Sequence, residues 1–236
     1  MKNSRYSFQC LLSISVVMLL TAMQVAAQKK WSVSAGYGLA YLNGQNRVRT
    51  QPSFGVNAGA GLSVPVSGRF SFETGLSLTQ KGYRFTTSTE DSSILTRFDG
   101  ENRFTVVSLP LCIRTNIVRQ GDLSFSILAG INYGLLINTT TSFSVNAYRN
   151  GQHIGSGNYS GSFRVGLSQS EDENGNQKID LYLFNPSLLI RPELKFKEKL
   201  TFSILYDYAL NNMAATGGPG TSLKLRYIGL AAGYIF

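Results

Sequence analysis

Histidine occurs once in the 236 residues, at position 153, and cysteine twice, at positions 10 and 112. Such a set cannot supply the usual ligands of a zinc site. Acidic residues number 13 against 22 Lys and Arg, so the chain is basic. Its charges are scattered, however, and no basic-aromatic stripe marks a nucleic-acid surface. There is also no Gly-rich phosphate loop between a strand and a helix, and no metal-spaced cysteine pair. The sequence therefore implies no cofactor, no metal site and no nucleic-acid partner. Beyond residue 23 no run approaches 18 uncharged apolar residues, which excludes a chain crossing an inner membrane as helices.

What is present begins at the N-terminus. Lys2 and Arg5 precede the apolar stretch "CLLSISVVMLLTAM" (10–23), which is followed by "QVAAQKK" with Val25 and Ala27 at the −3 and −1 positions of a small-residue cleavage site. This pattern predicts a secretory signal peptide over 1–27 and an exported domain over 28–236. The run is shorter than the ~20 apolar residues of a membrane anchor, and Cys10 lacks the small residues that precede a lipidated cysteine. Cleavage would leave Cys112 alone, so no intrachain disulfide could hold the exported domain. Loss of Lys2 and Arg5 would also lower the net charge of +9 by two.

The dominant period of the remainder is two. In "SFGVNAGAGLSVPV" (53–66) the even positions are all apolar, from Phe54 to Val66, and the odd ones are Gly, Ser, Asn or Pro. The same split recurs in "DLSFSILAGINYGLLI" (122–137) and over 201–210, where Phe202, Ile204, Tyr206, Tyr208 and Leu210 oppose Thr201, Ser203 and Asp207. Such alternation is strand periodicity. Globular strands have a mode of about 5–6 residues, whereas these segments are long enough for the ~9–11 residues of a tilted membrane strand. Short connections at "VSGR", "RQGD" and "KEK" alternate with longer polar segments at 43–52, 84–101, 138–179 and 211–222. That is the turn and loop pattern of an outer-membrane barrel, with tight periplasmic turns and longer outer loops.

The fold expected is an all-β, transmembrane, antiparallel up-and-down barrel of eight strands, near 31–42, 53–66, 69–83, 102–118, 122–138, 179–196, 200–211 and 223–236. Within the longest loop, alternation through Phe143 and Val145 reaches an Asn150-Gly151 turn and resumes at Tyr159 and Phe163. This predicts a hairpin standing above the membrane. The alternative is one more membrane hairpin and ten strands.

Candidate chemistry is sparse. His153, with Ser156 and Ser160 nearby, could serve a hydrolase on the barrel rim only if held rigidly against its partners. No partner motif accompanies it, so a solvated polar residue is the preferred reading. Asp172, Asn174, Asn176 and Asp180 have the one-three-five-nine spacing of a calcium loop, but Gln177 stands where the sharp turn needs Gly and Leu183 where Glu should close the site. An Asn-Gly turn accounts for that stretch equally well. Glu73, Lys81, Arg114, Arg191, Glu193 and Asp207 share the parity assigned to the lumen, since Lys or Arg facing lipid at mid-depth costs about 2–4 kcal/mol. A structural ion-pair network plugging the barrel is preferred to an ion pathway. Trp31, Phe70, Phe72, Tyr206, Tyr208, Tyr234 and Phe236 fall on the opposite parity, as interfacial aromatics would. Pro110, on the inward parity, removes a ladder donor and predicts a bulge in the strand 102–118.

Three stretches carry a family resemblance. "GLSVPVSGRFSFETGLSLTQKGYRF" (61–85), a hairpin ending in Gln80-Lys81-Gly82, resembles the second hairpin of the PorT-like outer-membrane β-barrel family. "VSLPLCIRTN" (107–116) resembles that family's following strand, and the terminal "YIGLAAGYIF" (227–236) is similar to its closing strand. The resemblance implies a role linked to secretion across the outer membrane of a Gram-negative bacterium, and it brings no catalytic residues. An eight-stranded interior is about filled by side chains. The function expected is therefore a non-enzymatic structural or interaction component, in export or surface assembly, whose partners are outer-membrane lipids and proteins met through the outer loops. A narrow small-solute or ion channel is the alternative.

Overall fold

The computed structural model describes residues 29–43, 49–91, 93–166, 180–214 and 223–236. The expected signal peptide, and Asp172, Asn174 and Asn176 of the calcium-like loop, lie outside the described residues. In chain order the strands are β1 (Lys30–Asn43), β2 (Arg49–Ser67), β3 (Phe70–Asp91), β4 (Ile94–Gln120), β5 (Leu123–Arg149), β6 (Gln152–Gly161), β7 (Val165–Gly166), β8 (Leu181–Tyr182), β9 (Phe184–Phe196), β10 (Leu200–Ala209) and β11 (Lys224–Ile235). Among the described residues no helix is long and apolar enough to cross a membrane.

Eight of these strands form a closed antiparallel ring in the order β1-β2-β3-β4-β5-β9-β10-β11. The ring closes where β11 pairs with β1, from Ser32↔Ile235 to Asn43↔Lys224. The apolar C-terminus is thus a paired wall strand, which removes the free edges an open sheet would expose. Along β11, Leu225, Tyr227, Ala231 and Ile235 are buried while Ile228, Leu230, Tyr234 and Phe236 are exposed outside. The alternation read from the sequence is therefore the alternation between lumen and outer wall. The ten-strand alternative does not hold, because β6 pairs only with β5 and stays out of the ring.

The strands differ in length on the two sides of the barrel. β4 and β5 have 27 residues each, so more than half of each exceeds the ~9–11 needed to cross a membrane. The β3–β4 pairing runs out to Asp91↔Ile94 and the β4–β5 pairing to Ile94↔Arg149. Beyond them, β6 folds back on β5 through a turn at Asn150 and Gly151, both at positive φ (49° and 80°). Two positive φ values in a row match the twist of the flanking strands, and Asn-Gly tolerates them best. Residues 84–91 and 94–101, expected within a polar connection, are instead strand. Their polar outward face hid this, but Phe85, Phe98 and Gly100 keep the period and meet Phe143 of β5 across Gly100. The result is a four-stranded sheet, β3 to β6, standing on one side of the barrel's loop end.

The strand that carries Pro110 has the expected bulge, but not at the proline. Pro110 pairs in register with Asn132, and the register shifts of β4 with β5 fall between Thr105 and Val106 and between Asn116 and Val118. Toward β3 the ladder skips Pro110 but resumes unshifted, from Thr74↔Leu111 to Ser77↔Ser108. Proline removes one donor, and a missing ladder bond does not require an inserted residue.

Candidate functional site

The lumen is built from the inward positions of all eight ring strands. In its half nearer the short turns, Arg114 on β4 bonds both Glu73 on β3 and Glu193 on β9. It also donates to Ser126 Oγ at 3.2 Å. Arg191 reaches Glu73 at 3.0 Å and Glu193 at 3.7 Å, and Lys195 approaches Glu193 at 3.8 Å. A second pair lies higher, Lys81 with Asp207 at 3.0 Å, both side chains 5% exposed or less. Asn132 Nδ2 donates to Asp207 at 3.1 Å. The six charged residues singled out in the sequence are thus brought together as two ion-pair groups. Lys195 was not singled out, although its odd position in β9 carries the same parity signal.

Between these groups, Tyr227 is fully buried and its hydroxyl accepts from Asn57 Nδ2 at 3.1 Å. Its ring lies against glycines of neighbouring wall positions. A Cβ at Gly38 or at Gly229 would come within 2.8 Å and 2.7 Å of ring atoms. A cavity of about 70 Å³ remains beside Asn57, Thr79, Asn132, Arg191 and Asp207. Asn132 Oδ1 and Arg191 Nε border it without a protein partner. Such a space holds a few waters, and Cys112, also on its lining, is buried.

Toward the loop end the lumen changes from ionic to apolar. Tyr83, Phe104, Val106, Leu136 and Leu225 from the wall meet Leu181 and Met213 from the loops in one buried cluster, with Phe163, Val165 and Leu223 packed on it. Phe104 stacks between Tyr83 at 6.1 Å and Phe163 at 6.2 Å. Backbone bonds tie the loop pieces to one another: Tyr182 N donates to Met213 O at 2.9 Å, Leu183 N to Gly166 O at 2.7 Å, and Met213 N to Leu223 O at 3.0 Å. Thr139 Oγ1 donates to Phe163 O and accepts from its N–H. Arg164 clamps Asp180 through its Nη2 at 3.1 Å and its backbone N–H at 2.8 Å. Those hydrogen bonds hold the Asp180 carboxyl below the usual carboxylate range, against partial burial. The apolar plug was not expected. Phe104 and Val106 carried the inward parity, as Leu181 did in the strand expected over 179–196, but Met213 lies in loop chain that has no period.

Above the plug, the sheet of β3 to β6 presents a row of aromatics, Phe98, Phe143 and Tyr159, with Phe143 and Tyr159 stacked at 5.3 Å. An open cleft of about 600 Å³ runs past Arg84, Arg97, Asp99, Glu101 and Tyr159. Hydrogen bonds from Thr86 and Arg97 hold the Asp99 carboxyl below its ordinary range. The far edge of the sheet is β6, "QHIGSGNYSG", which has no pairing partner on its outer side among the described residues. It carries neither Lys, Arg, Asp or Glu nor Pro. His153 sits at its start, against the Tyr148 ring at 5.5 Å. Neither Ser156 nor Ser160 forms a catalytic pair with it among the described residues.

The outer wall is apolar. Trp31, Phe70, Phe72, Tyr234 and Phe236 point outward near the short-turn end, with Tyr234 and Phe236 edge to face at 5.1 Å. Tyr206 and Tyr208 point outward near the opposite end.

A family profile described as an outer membrane protein beta-barrel domain matches residues 24–215. No curated protein matches the chain. Among solved structures, Ail, the attachment invasion locus protein of Yersinia pestis, in complex with the heparin analogue sucrose octasulfate, is 16% identical over 88% of this chain and 99% of its own, with a TM-score of 0.39. Neisserial surface protein A is 10% identical over 87% and 95%, with a TM-score of 0.37. The N-terminal barrel domain of Pseudomonas aeruginosa OprF is 11% identical over 87% and 97%, with a TM-score of 0.30. Likeness at this level extends to no function.

Proposed function

The chain belongs to the family of outer membrane protein β-barrel domains, and from that membership we propose that it is a non-enzymatic outer-membrane component that works by binding protein partners at the cell surface. The observation that carries this reading is the pairing of a filled lumen with an unpaired strand edge outside. Paired charges and an apolar cluster occupy the interior, which speaks against a diffusion route, while β6, ten residues long, leaves the backbone donors and acceptors of alternate residues free along its outer side. Natural sheets blunt such edges with charge or proline, and β6 has neither. An extended segment of another envelope protein would add to this edge as a further strand, with backbone bonds providing affinity and the Phe143–Tyr159 row providing side-chain contact.

The likeness of 61–85, 107–116 and 227–236 to PorT-like proteins supports export or surface assembly as the setting. The signal peptide over 1–27 would deliver the chain to the membrane, and the outward aromatics at both ends of the wall would form its interfacial girdles. A narrow channel is the second reading, favoured by the polar cavity beside Asn57 and Asp207.

The test is native electrophoresis of gently solubilised membranes. Wild-type protein should migrate in an assembly larger than itself, and Asn158→Pro with Ser156→Lys, which spoil the edge, should release it as a folded, heat-modifiable barrel. A wild-type barrel that migrates alone would contradict the reading.

A further inference from the structure

We propose that the outer wall carries a binding site for the phosphate of an outer-leaflet lipid headgroup, formed by Arg226 and Lys224 of β11 and framed by Tyr41 and Tyr208. Arg226 stands opposite Tyr41 on β1 and Tyr208 on β10, so the three form one row across adjacent strands. The row faces outward, because Tyr227 and Leu225 on either side of Arg226 are buried in the lumen. The guanidinium lies 4.8 Å from the Tyr208 ring centroid and 6.0 Å from that of Tyr41. Lys224 follows on the same face, one step nearer the loops.

Position along the wall identifies the surroundings. Ile228, Leu230, Leu39 and Ile204, directly below the row, are exposed and apolar. From Phe236 to Arg226 is ten residues, roughly 34 Å of strand. At a tilt of ~40° that is about 26 Å along the barrel axis, close to the height of the apolar band of such barrels. Arg226 therefore stands at the interface opposite the termini. The termini share the side of the short turns, which is periplasmic in this architecture, so the row meets the outer leaflet.

Chemistry identifies the ligand. Arg226 and Lys224 form no ion pair with a carboxylate among the described residues, whereas the cations of the lumen, Lys81, Arg114, Arg191 and Lys195, all lie beside one. Arg226 Nε is buried in the row without a hydrogen-bond partner in the protein. Two rings flank the guanidinium, whose planar fork suits a bidentate oxyanion, and the contact lowers the ordering cost of binding one. A phosphate on a lipid headgroup is the anion that this level of the membrane supplies.

The test uses full-length protein folded in neutral micelles, with the heat-modifiable unfolding midpoint read on a denaturing gel. The additives are a phosphorylated glucosamine lipid, its dephosphorylated form and inorganic phosphate. The phosphorylated lipid should raise the wild-type midpoint, as any ligand specific to the folded state does, and the other two should leave it in place. Arg226→Gln with Lys224→Gln should need about tenfold more lipid for the same shift. An equal shift with the dephosphorylated lipid, an equal shift with inorganic phosphate, or an unchanged response of the double variant would each overturn the proposal. Wild-type protein alone gives a second reading by native mass spectrometry. There the phosphorylated lipid should survive higher collision energy than its dephosphorylated form, and equal retention would also overturn the site.

Discussion

Arg114 is placed between two carboxylates, Glu73 and Glu193, with Arg191 closing the group from the other side. Removing one member of a buried ion pair leaves the others uncompensated and costs about 3–5 kcal/mol, whereas replacing all of them with neutral groups is often neutral. Arg114→Met should therefore lower the unfolding free energy by about that amount, while neutralising the whole group, Arg114→Met with Glu73→Gln, Glu193→Gln, Arg191→Met and Lys195→Met, should recover most of it. Urea titration of the bilayer-folded protein checks both. A second effect belongs to Tyr227, whose ring occupies the space a side chain at Gly229 would need. Gly229→Val should reduce the refolded fraction sharply, and Gly229→Val with Tyr227→Ala should restore part of it, as read by the folded band on a gel. Parity in the sequence was enough to send Glu73, Arg114, Glu193 and Asp207 inward. It could not say which of them pair, since that depends on register between strands far apart in the chain.

At the scale of elements, the legible strands were those with one apolar and one small or polar face, such as 53–66 and 122–137. The upper parts of β3 and β4 were read as loop because their outward face is rich in charge and hydroxyl side chains. They are strands because β5 and β6 supply pairing partners on one side, a tertiary effect that no local pattern carries. The loop pieces over the lumen are held by the Arg164–Asp180 clamp and by Phe163 on Phe104. Because the Asp180 carboxyl is held below its ordinary range, the clamp contributes fully above the unfolded value near 3.9. Its contribution is lost as pH falls through the lower folded value. Protease cleavage between residues 164 and 180 should accelerate below about pH 4, and Asp180→Asn should show the fast rate at neutral pH. A cleavage rate that stays flat from pH 7 to pH 3 would show that the clamp does not restrain the loop.

The whole molecule divides into an eight-stranded ring with an occupied interior, an apolar outer wall, and a tall sheet on one side of the loop end. Each buried carboxylate of the ring has a cation beside it: Glu73, Glu193 and Asp207 face Lys81, Arg114, Arg191 and Lys195. Above them the apolar cluster around Met213 and Leu181 offers an ion nothing to replace its hydration. Length, short turns and the terminal aromatics foretold the barrel; the plug joins inward wall residues to Met213 of a loop, and no periodic pattern records that meeting. Leu181→Ser with Met213→Ser should loosen the plug while leaving the ring strands intact. The measurement that tests the central claim most directly is conductance of the purified, demonstrably folded wild-type protein in a planar bilayer. The account predicts silence at moderate voltage, with activity appearing, if at all, only in the plug variant. Discrete, reproducible steps from the wild type would contradict it and make transport through the lumen the function to pursue.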